Sequence, residues 1–137
     1  MGIQYEGQII PTCFATSSIP QQLDDTLPNK LQAIYDAGFD AIEMSMPDII
    51  AYGTTLYNKE ISDEDCDAIV DVAKDIRRLT DELGLRIVIL QPFTRFEGWN
   101  SETRNELRKG AFARARQWIK IMEALGTDML QVRQATV

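Results

Sequence analysis

The chain has 137 residues, 45% of them hydrophobic and 26% charged, and its formal net charge is -7. This composition is typical of a globular protein, so residues 1–137 are expected to form a single domain with a substantial core. The acidic balance argues against a nucleic-acid partner, because phosphate binding needs a basic patch. No apolar run approaches the ~20 residues of a membrane span and no signal-peptide pattern is present, so we expect a cytoplasmic protein that does not act at a membrane.

The reactive side chains restrict the chemistry that these residues can perform. Histidine is absent, which excludes within this chain a Ser-His-Asp or Cys-His apparatus and a histidine-ligated zinc site. Cys13 and Cys66 are far apart and belong to no paired-cysteine motif, so two reduced thiols are expected. Proton transfer by this chain alone would therefore use carboxylates, lysine or tyrosine.

The N-terminal region is predicted to contain one strand and one helix. Residues 1–8 are predicted to be a loose polar arm, residues 9–15 a first strand, and residues 16–25 a loop. A helix is predicted from Leu27 and is ended by Gly38, because glycine readily adopts the left-handed conformation at a helix C-terminus. The inner face of this helix is expected to carry three apolar side chains at helical spacing, Leu31, Ile34 and Tyr35.

A second strand is predicted over residues 41–45, where Glu43 interrupts an apolar run. A carboxylate in such a run needs a partner, so Glu43 is either a site residue or an internal structural acceptor. Residues 46–60 are predicted to be a long loop, and loops of this length in compact domains usually have a function.

Two longer helices are predicted in the second half of the chain. Ser62 is the expected cap of the first and Gly84 its end, while Ser101 and Gly126 play these roles in the second. The predicted inner positions are Ile69, Val72, Ile76, Leu79 and Leu83 in the first helix, and Leu107, Ala111, Ala115, Trp118, Met122 and Leu125 in the second.

The repeated order of strand, helix and glycine predicts parallel strands joined by helical crossovers. The last two strands are predicted around residues 87–90 and 129–133. Two α/β architectures fit: an open doubly wound sheet, or the first four strand-helix units of a (β/α)8 TIM barrel, which usually has ~250 residues. No glycine-rich phosphate loop follows the first strand, and a fourth strand without a following helix leaves a sheet edge uncovered. We therefore favour the half-barrel, as the N-terminal half of a longer barrel.

Polar side chains follow the third predicted strand, where its apolar run ends abruptly. Gln91, Arg95 and Glu97 are interleaved there with Phe93 and Phe96. The carboxyl ends of parallel strands carry the chemistry of barrels and open sheets, so a ligand site is expected at these residues.

Three segments of the chain, residues 37–43, 90–98 and 124–132, together resemble the sugar-phosphate isomerase/epimerase superfamily of xylose isomerase-like barrels. Within it, the Gln-Pro-Phe of residues 91–93, followed by the Phe-Glu-Gly of residues 96–98, resembles the 3-dehydroshikimate dehydratases of quinate and shikimate catabolism. The resemblance covers essentially the whole chain, but only four of the family's eight strands.

The resemblance implies a lyase that removes water from 3-dehydroshikimate to give protocatechuate with a divalent metal, Mn2+, Mg2+ or Co2+. In the family the metal is held by later strands, so metal ligands and catalytic residues are expected beyond Val137, and no metal is expected on this chain alone. The resemblance also assigns substrate-binding residues within this chain. Arg133 would bind the substrate and could clamp its carboxylate. Phe93 and Phe96 would form the wall against the ring. Further polar contacts are expected from Gln91, Arg95, Glu97 and Glu43.

Other interpretations stay open at this point. The same barrel pattern fits a sugar-phosphate or inositol isomerase or epimerase. A non-catalytic half-barrel could instead pair its open edges with a second copy, giving a homo-oligomer, or with another chain. The enzyme interpretations imply a small-molecule substrate. Among the site residues, the structural alternatives are that Gln91 holds loop backbone and that Glu97 pairs with Arg95 at the rim.

Overall fold

The computed structural model describes residues 2–20 and 25–134. Its first element is an antiparallel hairpin of β1 (Ile3–Tyr5) and β2 (Gln8–Ile10). Glu6 and Gly7 form the turn with φ angles of 47° and 78°. A two-residue hairpin turn of this kind needs positive φ at both central positions, which glycine supplies at no steric cost. The prediction of a loose arm over residues 1–8 is therefore wrong for residues 3–8, while residue 1 lies outside the described residues.

The residues that the structure describes place four parallel strands in the main sheet, in the order β3 (Cys13–Ala15), β4 (Ala41–Ser45), β5 (Arg86–Phe93) and β6 (Leu130–Val132). The first predicted strand is thus shorter than residues 9–15, because its first two residues belong to the hairpin. The parallel α/β fold is confirmed. Within the described residues the sheet is open and corresponds to half of an eight-stranded barrel.

In the described part of the chain, four α-helices connect and cover the strands. They are α1 (Leu27–Asp36), α2 (Met46–Tyr57), α3 (Cys66–Leu83) and α4 (Arg104–Leu125). Within residues 2–20 and 25–134, no helix combines the length and the apolar character that crossing a membrane requires.

Helix α2 occupies most of residues 46–60, so the prediction of a long loop there is wrong. Two terminal signals fit this helix: Pro47 in its first turn, where its missing amide hydrogen costs nothing, and Asn58 after its end with a left-handed φ of 50°. The helix gains its stability from packing, because Ile49 is fully buried and Gly53 lies against Val72 of α3.

The starts of the two long helices also differ from the prediction. Asp65, rather than Ser62, caps α3, and its carboxylate accepts a hydrogen bond from the amide of Ala68 at 3.3 Å. Helix α4 starts after Thr103 rather than after Ser101. Both ends are as predicted, since Gly84 and Gly126 have φ angles of 79° and 78°.

The core lies between one face of the sheet and the helices. Its fully buried members include Leu31, Ile42, Met44, Ile76, Leu90 and Ile121. Trp118 belongs to this core, as predicted. Tyr35 and Leu107 do not, because both are nearly half exposed. Helix α4 is buried only from Ala111 onward, which leaves its first turns outside the core.

Candidate functional site

The carboxyl ends of the four strands meet at one edge of the sheet, as parallel pairing requires. Ser45 at the end of β4 lies beside Gln91 of β5, and Phe93 lies beside Val132 of β6. The amide of Arg133 donates a 2.8 Å hydrogen bond to the carbonyl of Phe93. The backbone of Arg133 therefore lies next to the start of the loop that follows β5, although the two segments are far apart in sequence.

Two hydrogen bonds join the segment after β3 to the carboxyl ends of β4 and β5. The Thr16 hydroxyl accepts a 3.2 Å bond from the amide of Ser45, and the Gln91 side-chain amide donates a 3.2 Å bond to the Ser17 hydroxyl. The contact of Gln91 thus links the carboxyl end of β5 to the segment after β3. Gln91 thus contacts a side-chain hydroxyl and not the loop backbone of the structural alternative, and its contact with a ligand stays a prediction.

A buried ion pair joins the elements next to this edge of the sheet. The ammonium of Lys30 donates to Asp48 at 2.9 Å and to the carbonyl of Ile19 at 2.8 Å. Both side chains are almost completely buried, with 2% and 5% of their surface exposed. The pair joins α1, the start of α2 and the loop after β3, and sequence reasoning had missed it.

A groove of about 1020 Å3 opens beside the loop between β5 and α4. Its volume is at the upper end of the range typical of small-molecule sites. Three arginines line it, Arg95, Arg114 and Arg133. Four acidic residues line it as well, Asp63, Glu64, Glu97 and Glu106. The structure thus brings three of the predicted site residues, Arg95, Glu97 and Arg133, into one cavity.

Arg114 holds the loop that forms one wall of this groove. Its guanidinium donates hydrogen bonds to the backbone carbonyls of Thr94 and Arg95, the second at 2.9 Å, and lies 5.0 Å from the centre of the Phe93 ring. Burial, and after it the neighbouring charge of Arg95, lower the pKa of Arg114 below its ordinary value. Arg95 itself has a left-handed φ of 58°, a conformation that needs support in a residue with a side chain.

Sequence reasoning had missed Arg114, although a signal was present. Arg114 lies three residues after Ala111 and four before Trp118, which places it beside the predicted inner stripe of α4. An arginine at such a position has to find acceptors for its donors when it is covered, so a role in holding a loop could have been predicted.

Arg95 and Glu97 turn to different surroundings. The Arg95 guanidinium is 3.4 Å from the Asp63 carboxylate, and both side chains are mostly exposed. The alternative that Glu97 pairs with Arg95 at the rim is therefore wrong. Glu97 is half-buried, and its Oε1 atom is shielded from solvent without a hydrogen-bond partner among the described residues.

The predicted aromatic wall is divided between the core and a second groove. Phe93 is buried, stacks on Phe96 with ring centres 6.3 Å apart, and meets the edge of Trp118 at 5.2 Å. Phe93 and Phe96 also line an apolar groove of about 470 Å3 beside α4 and β6. The two rings and the charged groove therefore lie on adjoining surfaces of the same loop.

Glu43 is half-buried on β4 and lies beside Ala15 of β3. Because side chains alternate along a strand, it projects to the face opposite Ile42 and Met44, which pack under the helices. Partial burial of the Cys13 sulfur, and after it the negative charge of Glu43, raise the pKa of the Cys13 thiol. Glu43 is thus placed near Cys13 on the face of the sheet opposite Ile42 and Met44, and its contact with substrate stays a prediction.

The residues present do not fit a divalent metal ion. Among residues 2–20 and 25–134, no three or more Asp, Glu, Cys or His side chains come together in a group that could hold one. The expectation that metal ligands lie beyond Val137 stays a prediction.

Comparison with protein families supports the fold. A family described as xylose isomerase-like TIM barrel matches residues 31–136. A solved xylose isomerase-like TIM barrel/4-hydroxyphenylpyruvate dioxygenase fusion protein superimposes over 93% of this chain and 17% of its own, with a TM-score of 0.64 and 28% identity. The structure of a probable 3-DHS dehydratase, AsbF from Bacillus anthracis, covers 90% of this chain and 38% of its own, with a TM-score of 0.58; at 14% identity it supports the fold alone.

Curated proteins with similar sequences share one name. A 3-dehydroshikimate dehydratase of Pseudomonas aeruginosa is 36% identical over 80% of this chain, and one of Pseudomonas putida is 33% identical over the same share. The chain spans only 14% of the length of either relative. A 3-dehydroshikimate dehydratase of Neurospora crassa is 30% identical over 88% of this chain, which spans 31% of that protein.

The open sheet of parallel strands, with polar groups gathered at its carboxyl edge, defines an α/β protein of the barrel type. The family match covers more than half of the chain. The chain therefore belongs to the xylose isomerase-like TIM barrel family, and it is similar to proteins named 3-dehydroshikimate dehydratase.

Proposed function

We propose that this chain provides the substrate-binding part of a lyase that dehydrates 3-dehydroshikimate to protocatechuate. The observation that carries the proposal is the position of Arg133, at the carboxyl end of β6 in a groove that two further arginines line. The names of the three similar proteins support the choice of substrate. Metal dependence and a place in quinate and shikimate catabolism belong to the same proposal.

The proposed reaction explains why an anion site is needed. 3-Dehydroshikimate carries a carboxylate, a ring ketone and two ring hydroxyls; loss of a proton beside the ketone and of one hydroxyl yields water, and tautomerisation of the ring gives the aromatic product. The carboxylate takes no part in these bond changes. It is therefore the natural group for orienting the ring, and a guanidinium suits it because two parallel hydrogen bonds fix both position and angle.

The other groups of the site have supporting roles in this proposal. Arg114 holds the Thr94–Arg95 backbone beside the groove, while the Phe93 and Phe96 rings provide the nearby apolar surface. The proposal places the protein in the cytoplasm, which agrees with the two unpaired cysteines. A divalent metal would have to be held by residues outside those described.

The test is calorimetric titration of the 137-residue protein with 3-dehydroshikimate. We expect Arg133→Ala to weaken binding by about 10- to 100-fold, because a hydrogen-bonded charge contact contributes roughly 1.5–3 kcal/mol. Arg133→Lys should recover only part of the affinity, since an ammonium cannot make the bidentate contact. Arg86→Ala is the matched control, because Arg86 is an exposed arginine at the opposite end of β5.

Two results would contradict this proposal. The first is equal affinity of the wild-type protein and Arg133→Ala for 3-dehydroshikimate. The second is equal affinity of the wild-type protein for the substrate and for its methyl ester, which lacks the carboxylate charge. An assay of the longest protein product that contains this chain, with 3-dehydroshikimate and with ketose phosphates, separates the dehydratase from the isomerase and epimerase alternative. Light scattering of the 137-residue protein tests the self-associating half-barrel.

A further inference from the structure

The starting observation is one oxygen atom of Glu97. Its Oε1 is shielded from solvent and has no hydrogen-bond partner among the described residues, while the residue itself lines the charged groove. A carboxylate oxygen without a donor is costly, because desolvation is not compensated, and such atoms are rare in folded proteins. Oε1 of Glu97 therefore lacks the hydrogen-bond donor that a buried carboxylate oxygen needs.

The neighbouring charged groups on the same side of the groove have partners of their own. Arg95 turns to Asp63, with 3.4 Å between nitrogen and oxygen, and Arg114 donates to the carbonyls of Thr94 and Arg95. The Glu106 carboxylate, which is mostly exposed, is 3.4 Å from the ammonium of Lys109. Arg95, Lys109 and Arg114 thus have acceptors other than Glu97, and no described residue donates to its Oε1.

Rotation about the last bond of a glutamate side chain is soft, so the Glu97 carboxylate can turn toward a donor that enters the groove. An ionised carboxylate can only accept hydrogen bonds. The matching group on a small ligand is a hydroxyl. A carboxylate-binding guanidinium and a hydroxyl-accepting carboxylate in one cavity would together select a hydroxylated carboxylic acid over a plain one.

We propose that Glu97 accepts a hydrogen bond from a ring hydroxyl of the ligand whose carboxylate Arg133 binds, so that the groove is specific for hydroxylated ring carboxylates. This inference rests on the proposed function, and it assigns to Glu97 a role in specificity that Arg133 does not have. It also accounts for the orphaned oxygen, which gains a donor when the ligand enters.

The test compares two unreactive acids with the same ring double bond and carboxylate. Shikimate carries three ring hydroxyls, and cyclohex-1-ene-1-carboxylate carries none. Titration calorimetry of the wild-type 137-residue protein should show shikimate binding at least about 10-fold more tightly, as expected for a hydrogen bond to a charged group. Glu97→Ala should abolish most of this preference by weakening shikimate binding, with the affinity for cyclohexene carboxylate unchanged.

Two further variants make the comparison specific. Glu97→Gln keeps an acceptor oxygen but not the charge, so it should retain part of the preference, and it serves in place of Glu97→Ala should the alanine variant fail to fold. Glu102→Ala is the matched control, because it removes an exposed carboxylate just before α4 that does not line the groove, so it should leave both affinities unchanged.

The outcomes separate this inference from the proposed function. An equal preference for shikimate in the wild-type protein and in both Glu97 variants would overturn the role of Glu97, while a loss of binding in Arg133→Ala would still support the carboxylate site. Failure of the wild-type protein to bind either acid would overturn both. Loss of affinity for both acids in equal measure in the Glu97 variants would also overturn the role of Glu97, since a purely structural effect does not distinguish hydroxyls.

Discussion

Replacing Arg114 with alanine should loosen the loop between β5 and α4. The change removes hydrogen bonds to the carbonyls of Thr94 and Arg95 and a contact with the Phe93 ring. Charge-assisted hydrogen bonds contribute about 1.5–3 kcal/mol each when buried, and a cation–π contact about 0.5–1 kcal/mol at an exposed site. Because Arg114 is only half-buried, water can replace part of these contacts, and we expect a loss of about 2 kcal/mol in the free energy of unfolding.

Thermal unfolding and amide hydrogen exchange test this expectation. In a domain of this size a loss of 2 kcal/mol corresponds to a decrease in Tm of roughly 6–10 °C. Exchange should accelerate most at residues 94–98, because Arg114 supports the left-handed backbone of Arg95. Arg114→Lys should lie between the wild type and alanine, since it keeps the charge but not the planar fork. Arg116→Ala, at an exposed position of the same helix, is the control. An unchanged Tm together with unchanged exchange over residues 94–98 would refute the reasoning.

Two further predictions concern groups away from the charged groove. Lys30→Met should destabilise the protein by about 3–5 kcal/mol, because it leaves the buried Asp48 carboxylate without its lysine; urea unfolding with a loss below about 1 kcal/mol would contradict this prediction. Tyr52 donates a 2.6 Å hydrogen bond to Asp75, and burial, followed by this bond, raises its pKa to about 12. A raised pKa in the folded state favours the neutral phenol, so the stabilisation is complete below pH ~10 and is lost as the pH rises toward about 12. Tyr52→Phe should therefore lose less stability than the wild type over that pH range, and parallel stability curves would show that Tyr52 makes no such contribution.

The sequence predicted the elements whose signals are local. Gly84 and Gly126 end long helices with positive φ, and the apolar stripe around Trp118 marks a buried face. Helix α2 was missed because Tyr52, Gly53 and two adjacent threonines weaken its intrinsic helix propensity, and its contacts with α3 outweigh that weakness. Tertiary contacts between segments distant in sequence cannot be read from composition or periodicity.

The same distinction holds for the candidate site. The prediction that polar residues at the carboxyl ends of strands belong together agrees with Arg95, Glu97 and Arg133 lining one groove. The partners of these residues could not be predicted, because they depend on the loop's path: Arg95 meets Asp63, 32 positions earlier in the chain, and Glu97 has no partner among the described residues. The sequence thus indicated which residue types gather at the edge. The fold decides which of their polar atoms have hydrogen-bond or ion-pair partners within the chain.

The charge of the chain and the charge of the groove have different consequences for recognition. An overall charge of -7 repels an anionic ligand at long range, but salt screens this repulsion beyond about 8 Å at physiological ionic strength. The field of the whole chain therefore cannot steer a carboxylate into the groove, and selectivity has to arise from directional hydrogen bonds within it. Arg133 and Glu97 offer opposite polarity for this purpose. That is why the decisive experiments compare ligands that differ only in their carboxylate charge or in their hydroxyls, and not ligands that differ in overall size.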